Sequence, residues 1–188
     1  MSELQPSDII HIPGRLIADP FDLSPASAPN FGGTPLGNVA EIVIRVTHFQ
    51  EALRGEEFAS EIIDVVEGAD DIAVGAFLRG FDRDAITRIF SDATVSTLTG
   101  KPQIEFPGVS KRGSFGSDNS FVLLFAPENF EEHPALLMYN AIPLVEETIQ
   151  LSFSFDLSKE FGIPVLFQGI RDSSNRIAHL KLLEDLAL

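Results

Sequence analysis

Histidine, cysteine and paired carboxylates build most catalytic and metal centres, and this 188-residue chain spaces them poorly for either purpose. It has no cysteine, which removes a disulfide framework, a thiol nucleophile and a thiolate metal site together. The four histidines, His11, His48, His133 and His179, are far apart and show neither HxxxH nor HxH spacing. Isolated strand or loop residues explain them more simply than a metal set. Asp82-Arg83-Asp84 has the outline of a metal-binding DxD, but a helix start accounts for it, because Asp82 can accept bonds from the first free N–H groups. Phe31-Gly32-Gly33-Thr34-Pro35 lacks the Lys-Ser/Thr of a phosphate loop, and Pro35 withholds an N–H that a phosphate would need. No GxSxG elbow occurs. The expectation is no catalytic residue, no cofactor, no metal, and a protein that is not an enzyme.

The carboxylates nevertheless cluster. Glu51, Glu56, Glu57, Glu61, Asp64, Glu67, Asp70 and Asp71 are opposed in their stretch only by Arg54. They lack the alternating spacing of a calcium loop, so a solvated face is the plain explanation. The functional alternative is a negative surface displayed deliberately, such as a channel wall, with Glu56, Glu57, Glu61, Asp64 and Glu67 as its candidates. The whole chain carries a net charge of −15, which repels nucleic acid phosphates. Lys111, Arg112 and Phe115 form a basic loop that is either simply solvated or a docking point for an acidic partner. The first residues, MSELQPSDIIHIPGRL, lack the basic and apolar regions of a secretory signal, and the longest apolar runs are too short to span a bilayer. A protein made in the cytoplasm, without a membrane partner, is expected.

The elements that would carry these residues are mostly strands. A hydrophobic fraction of 44% against 22% charged residues describes one folded domain with a core supplied largely by 16 phenylalanines. Residues 1–38 read as an extended arm and loop rich in Pro, Gly, Ser and Asn, and 39–188 as a single β-rich domain. Phe21, Leu23, Phe31 and Leu36 suggest that the arm orders against a neighbour, since a flexible linker rarely carries such side chains. Ala40, Ile42, Ile44 and Val46 alternate with Glu41, Val43, Arg45 and Thr47, predicting a half-buried strand. Residues 55–68 fit either one helical face, of Phe58, Ile62 and Val65, or a strand favoured by their β-branched Ile and Val pairs, and as a strand they would form a hairpin with 71–79. A short helix is predicted over 82–91, with Phe81 stapled to Ile86 and a stripe of Ile86, Ile89 and Phe90. Residues 92–120 show little periodicity beyond a strand near Gln103 to Phe106, and 108–119 read as an exposed loop. Strands are predicted at Phe121–Ala126, Ala135–Ile142, Thr148–Asp156, Ile163–Gly169 and Ile177–Leu183, with Pro164 confining its strand to a start or an edge.

The order of these parts resembles a known family. An extended arm precedes an acidic hairpin, then GAFLRGFDRDAITRIF, a long loop, ALLMYNAIPLVEETIQLSFSF and FGIPVLFQGIRDSSNRI. This is similar to the tail tube proteins of long-tailed bacteriophages. In those a strand leads through a G-(F/L)-D-x-(D/E) turn into a short helix, and a later (I/V)-P-V-x-F-x-G strand ends in an Asp/Ser/Gly turn. The likeness covers most of residues 40–185 and lies in strand order and turn chemistry.

The resemblance implies a mainly β, antiparallel sandwich or barrel with one short flanking helix, long loops and an N-terminal arm. It implies a virion subunit made in a bacterial host and stacked as hexameric rings around a DNA conduit. Its partners would be copies of itself, other tail proteins, and DNA in unspecific transit past the acidic candidates. Phe21, Leu23, Phe31, Lys111, Arg112 and Phe115 would make contacts between subunits. The Pro-rich stretch 18–38 suits a head–tail connector or tail terminator equally well. A non-viral β-sandwich module binding sugar or protein is a further alternative, weakened by the absence of Trp and the single Tyr139. A glycosidase with an acidic pair assembled in space is the third.

Overall fold

The structure, a computed structural model, describes residues 9–10, 12–47, 50–54, 62–67, 71–80, 83–90, 93–98, 101–105, 116–144, 162–186 and 188. Its strands are β1 (Ile9–Ile10), β2 (Gly14–Ala18), β3 (Thr34–Val39), β4 (Ile42–Thr47), β5 (Gln50–Arg54), β6 (Ile62–Glu67) and β7 (Asp71–Leu78), then β8 (Thr94–Leu98) and β9 (Lys101–Glu105). β10 (Phe121–Pro127), β11 (Ala135–Leu144), β12 (Ile163–Gly169) and β13 (Ala178–Lys181) follow. A single α-helix among the described residues, α1 (Arg83–Ile89), follows β7. The fold is mainly β and antiparallel, as the alternating apolar pattern predicts.

A nine-stranded sheet runs in the order β1-β4-β7-β12-β11-β10-β2-β3, with β13 added to β11. The sheet curls until its far end meets its middle. Asn38 near the end of β3 and Arg79 just after β7 exchange both backbone hydrogen bonds at 2.7 Å. Strands β7, β12, β11, β10, β2 and β3 therefore close on one another, and β4 and β1 extend outside the closure. A register shift in β3 beside Leu16 helps to turn this corner. Gly37 sits there with φ +150°, and a Cβ on it would lie 3.0 Å from the Arg79 carbonyl oxygen. Only glycine meets both demands easily.

Alternation along each strand sorts side chains to the two faces. Leu16, Leu36, Val74, Leu78, Leu123, Phe125, Met138 and Phe167 fill the interior of the curl, where Phe121 and Phe167 meet edge to face at 5.9 Å. Helix α1 adds Ala85 and Ile89 to this cluster, with Ile86 and Phe90 half-buried beside it. The expected stripe is thus one position wider, while Phe81 and Asp82 lie outside the described residues. Arg88 of α1 pairs with Asp19 at the end of β2 and stacks over Phe121 at 5.0 Å. A second cluster forms on the outer face of β2, β10 and β11. Ile17, Leu124, Leu137 and Tyr139 are covered there by Phe31 from the loop after β2 and by Leu183 and Leu186 near the C-terminus.

Three expectations need correction. Residues 14–39 are not an arm: β2 lies between β10 and β3, and Leu16, Ile17 and Leu36 are wholly buried in the chain's own core. Residues 62–67 are a strand, but their partner is β5, while β7 pairs with β4 and β12. The stretch 92–120, expected to hold one strand near Gln103 to Phe106, has that strand as β9 and also β8, which pairs with it in a hairpin. Pro164 does stand at a strand start, as the second residue of β12. The predicted strand Thr148–Asp156 lies outside the described residues.

Candidate functional site

Two antiparallel ladders carry the described part of the acidic stretch. β4 pairs with β7 out to Thr47 opposite Asp71, and β5 pairs with β6 from Gln50 opposite Glu67 to Arg54 opposite Ile62. The two ladders follow one another along the chain, with residues 48–49 and 68–70 between them outside the described residues. The first belongs to the nine-stranded sheet, and the second is a two-stranded ribbon. Val46, near the end of β4, is 50% exposed. An isolated two-stranded ribbon has little stability in water, so a neighbour that adds contacts would strengthen it. The β8–β9 hairpin is a second two-stranded sheet of the same kind.

The outer face of β7, β12 and the end of β11 is apolar and open. The register places Phe77 opposite Pro164, and Leu144 opposite Leu166. Phe77, Leu166 and Leu144 are 39%, 38% and 43% exposed. Apolar side chains grouped on one sheet face mark contact surfaces more often than single exposed ones do.

Polar side chains converge where the strand opposite β11 is interrupted. β12 and β13 run in the same direction along one edge of β11, separated by the turn 170–177. Asp172 organises that turn: its carboxylate accepts from the Ser174 and Arg176 backbone N–H groups at 2.9 and 2.7 Å and from Arg176 Nε at 2.8 Å. The Arg176 backbone bond above all holds the Asp172 pKa below the usual carboxylate value. The Arg176 guanidinium lies 3.7 Å from the Tyr139 ring centre, and the Tyr139 hydroxyl meets His179 Nδ1 at 3.0 Å. Each polar group in this cluster has a partner, and its chemistry is that of a locked turn. Among the described residues no group of three or more His, Asp or Glu side chains is placed to hold a metal ion.

The candidate contact residues are distributed unevenly. Phe21 is 74% exposed on the loop after β2. Leu23, in the same loop, is half-buried against the second cluster. Phe31 is 1% exposed and packs edge to face with Phe130 at 6.3 Å, so it has no surface left for a neighbour. Asp64 and Glu67 lie on β6 in the ribbon, and Glu56, Glu57 and Glu61 lie outside the described residues. Lys111, Arg112 and Phe115 also lie outside them.

Sequence reasoning missed a cleft of about 340 Å³ between β2, β3 and the end of β10, lined by Arg15, Asn38, Phe31, Phe130, Pro29 and Glu128 among others. Its residues come from three distant parts of the chain, and no local pattern joins them. No helix of the described residues is long and apolar enough to cross a membrane. The sequence matches no protein-family model and no curated protein.

Proposed function

We propose that this chain is a self-assembling structural subunit of the tail tube type, a virion protein of a long-tailed bacteriophage whose stacked rings form a conduit for DNA. The observation that carries the reading is the β5–β6 ribbon, a two-stranded sheet that pairs with no other described strand of the β body. A two-stranded ribbon gains stability when a further surface packs on it, and a second copy can supply that surface. The open apolar face at Phe77, Leu144 and Leu166 supplies further surface to bury between copies. The net charge of −15 keeps free subunits apart and soluble, and in an assembled tube it would let DNA slide without adhering. The role is structural and not catalytic.

The test is assembly of the purified full chain. Negative-stain electron microscopy and sedimentation velocity over a wide concentration range should reveal rings or tubes. Raised salt should favour them, because it screens the repulsion between acidic subunits. A strict monomer at every concentration and ionic strength would sink the reading.

A further inference from the structure

The cleft beside β2 brings opposite charges to one place. Arg15, half-buried on β2, stands opposite Ala126 of β10 on one side and Asn38 of β3 on the other. The β2–β10 ladder runs past Gly14 and Pro127 to a bond from the Glu128 N–H to the Pro13 carbonyl at 3.0 Å. Glu128 therefore follows Ala126 by two residues, on the same face as Arg15 and diagonal to it. Side chains so placed start roughly 7 Å apart. Both line the cleft of about 340 Å³. Among the described residues neither side chain has an ion pair or a hydrogen bond, and the Asn38 amide has no bond either.

Each of these groups selects a different part of a ligand. The Arg15 guanidinium offers a planar fork of N–H donors that matches a carboxylate, and the Asn38 amide adds a donor beside it. Glu128 can accept from an ammonium group. Exposed Pro29 and half-buried Phe130 supply apolar surface, with the buried Phe31 ring bracing Phe130 edge to face. A phosphate dianion would meet a single cation and a repelling carboxylate, and a simple cation would be repelled by Arg15. Only a molecule carrying both charges satisfies both ends at once. The volume lies at the small end of ligand pockets, which suits a compact molecule better than a folded partner.

We propose that this cleft binds a zwitterionic α-amino acid with an apolar side chain. Its carboxylate pairs with Arg15 and Asn38, its ammonium with Glu128, and its side chain packs against Phe130 and Pro29. These are the three substituents that such a molecule carries on one carbon. Arg15 is half-buried and so keeps less water than a fully exposed guanidinium, which strengthens its bond to a carboxylate relative to a surface ion pair. The site belongs to a single copy, so it stands whether or not the chain assembles.

Saturation-transfer NMR tests this, with L-leucine and L-phenylalanine titrated against the full chain at protein concentrations too low for assembly. Saturable binding is expected, and glycine, which lacks the apolar side chain, should bind more weakly. N-acetyl-leucine lacks the ammonium and leucinamide lacks the carboxylate, so each should lose roughly tenfold or more in affinity. Arg15→Gln should weaken leucine to a similar degree and leucinamide little. Glu128→Gln should weaken leucine likewise and N-acetyl-leucine little. Urea midpoints of both variants should match the wild type, because neither side chain has a partner among the described residues. No saturable binding up to about 10 mM overturns the proposal. Equal binding of leucine and both of its one-charge analogues to the wild-type chain overturns it as well. Full leucine affinity in both glutamine variants would place the ligand elsewhere and overturn it too.

Discussion

Two stretches of the same sheet's outer face are built alike and finished differently. On β2, β10 and β11 the outward side chains Ile17, Leu124, Leu137 and Tyr139 lie beneath Phe31, Leu183 and Leu186. On β7, β12 and the end of β11 the outward side chains Phe77, Leu166 and Leu144 retain 38–43% exposure. Strand alternation produces an apolar outer face in both places, and the difference is how much chain is committed to covering it. The first face uses the loop after β2, which Asp22 braces by accepting from the Ser24 N–H at 2.9 Å and from the Ser27 hydroxyl. Those bonds, the Ser27 one foremost, hold the Asp22 pKa below the ordinary carboxylate value. A covered face contributes to folding, and an open one keeps its burial available for association.

Removing the cover should therefore cost the isolated chain most. Phe31→Ala deletes a ring that is 1% exposed and braced by Phe130, and is expected to lower stability by about 3–5 kcal/mol. Urea denaturation of the wild type and variant measures it. A loss below about 1 kcal/mol would mean that the second cluster is not a true core.

The difference between the two faces was only partly legible in the sequence. β10, β11, β12 and α1 follow from local pattern, because continuous apolar runs and a 3.6-residue stripe need no knowledge of partners. The body role of 14–39 was hidden by its Pro, Gly and Ser content, which reads as loop although Leu16, Ile17 and Leu36 are core residues. The ribbon was misjudged because period-2 alternation reports that a strand exists and says nothing of its partner. The pattern therefore suggests a hairpin of 62–67 with 71–79, whereas the partner is β5. The cleft was invisible for the same reason at longer range, since Arg15, Asn38 and Phe130 meet only through the sheet order.

The closure that separates inside from outside should be the next most sensitive point. Gly37→Val places a branched side chain at φ +150° against the Arg79 carbonyl and is expected to cost about 1–3 kcal/mol. Faster amide exchange at Asn38 and Arg79 than elsewhere in β3 and β7 would locate the damage at the bridge. Uniformly faster exchange would instead mean that closure is not a separate feature.

The Asp172 turn, which splits the strand opposite β11, should show a smaller, pH-dependent effect. Its carboxylate has a lowered pKa in the folded chain, so its contribution is complete above the ordinary carboxylate range and is lost as pH falls through the lowered value. Protection of the Arg176 amide should decline over that acidic window in the wild type. In Asp172→Asn it should be weaker at neutral pH and flat across the same window. A wild-type amide indifferent to acid would show that the turn is held by other bonds.

The smallest effect on folding is expected on the open face, and it separates the two surfaces most sharply. Leu166→Lys replaces a side chain that is already 38% exposed, with its neighbours Phe77 and Leu144 similarly open. The free chain should lose no more than about 0.5 kcal/mol, because a lysine stem can lie along the same surface with its ammonium in water. Association behaves oppositely, since the ammonium must be stripped of water if the face is buried between copies. Sedimentation velocity should then show the variant remaining monomeric at concentrations where the wild type assembles, with unchanged urea midpoints. If the variant assembles as readily as the wild type, the open face is merely exposed sheet, and assembly must rest on the ribbon alone. If its stability instead falls as far as that of Phe31→Ala, the face is covered within the chain and the distinction between the two surfaces disappears.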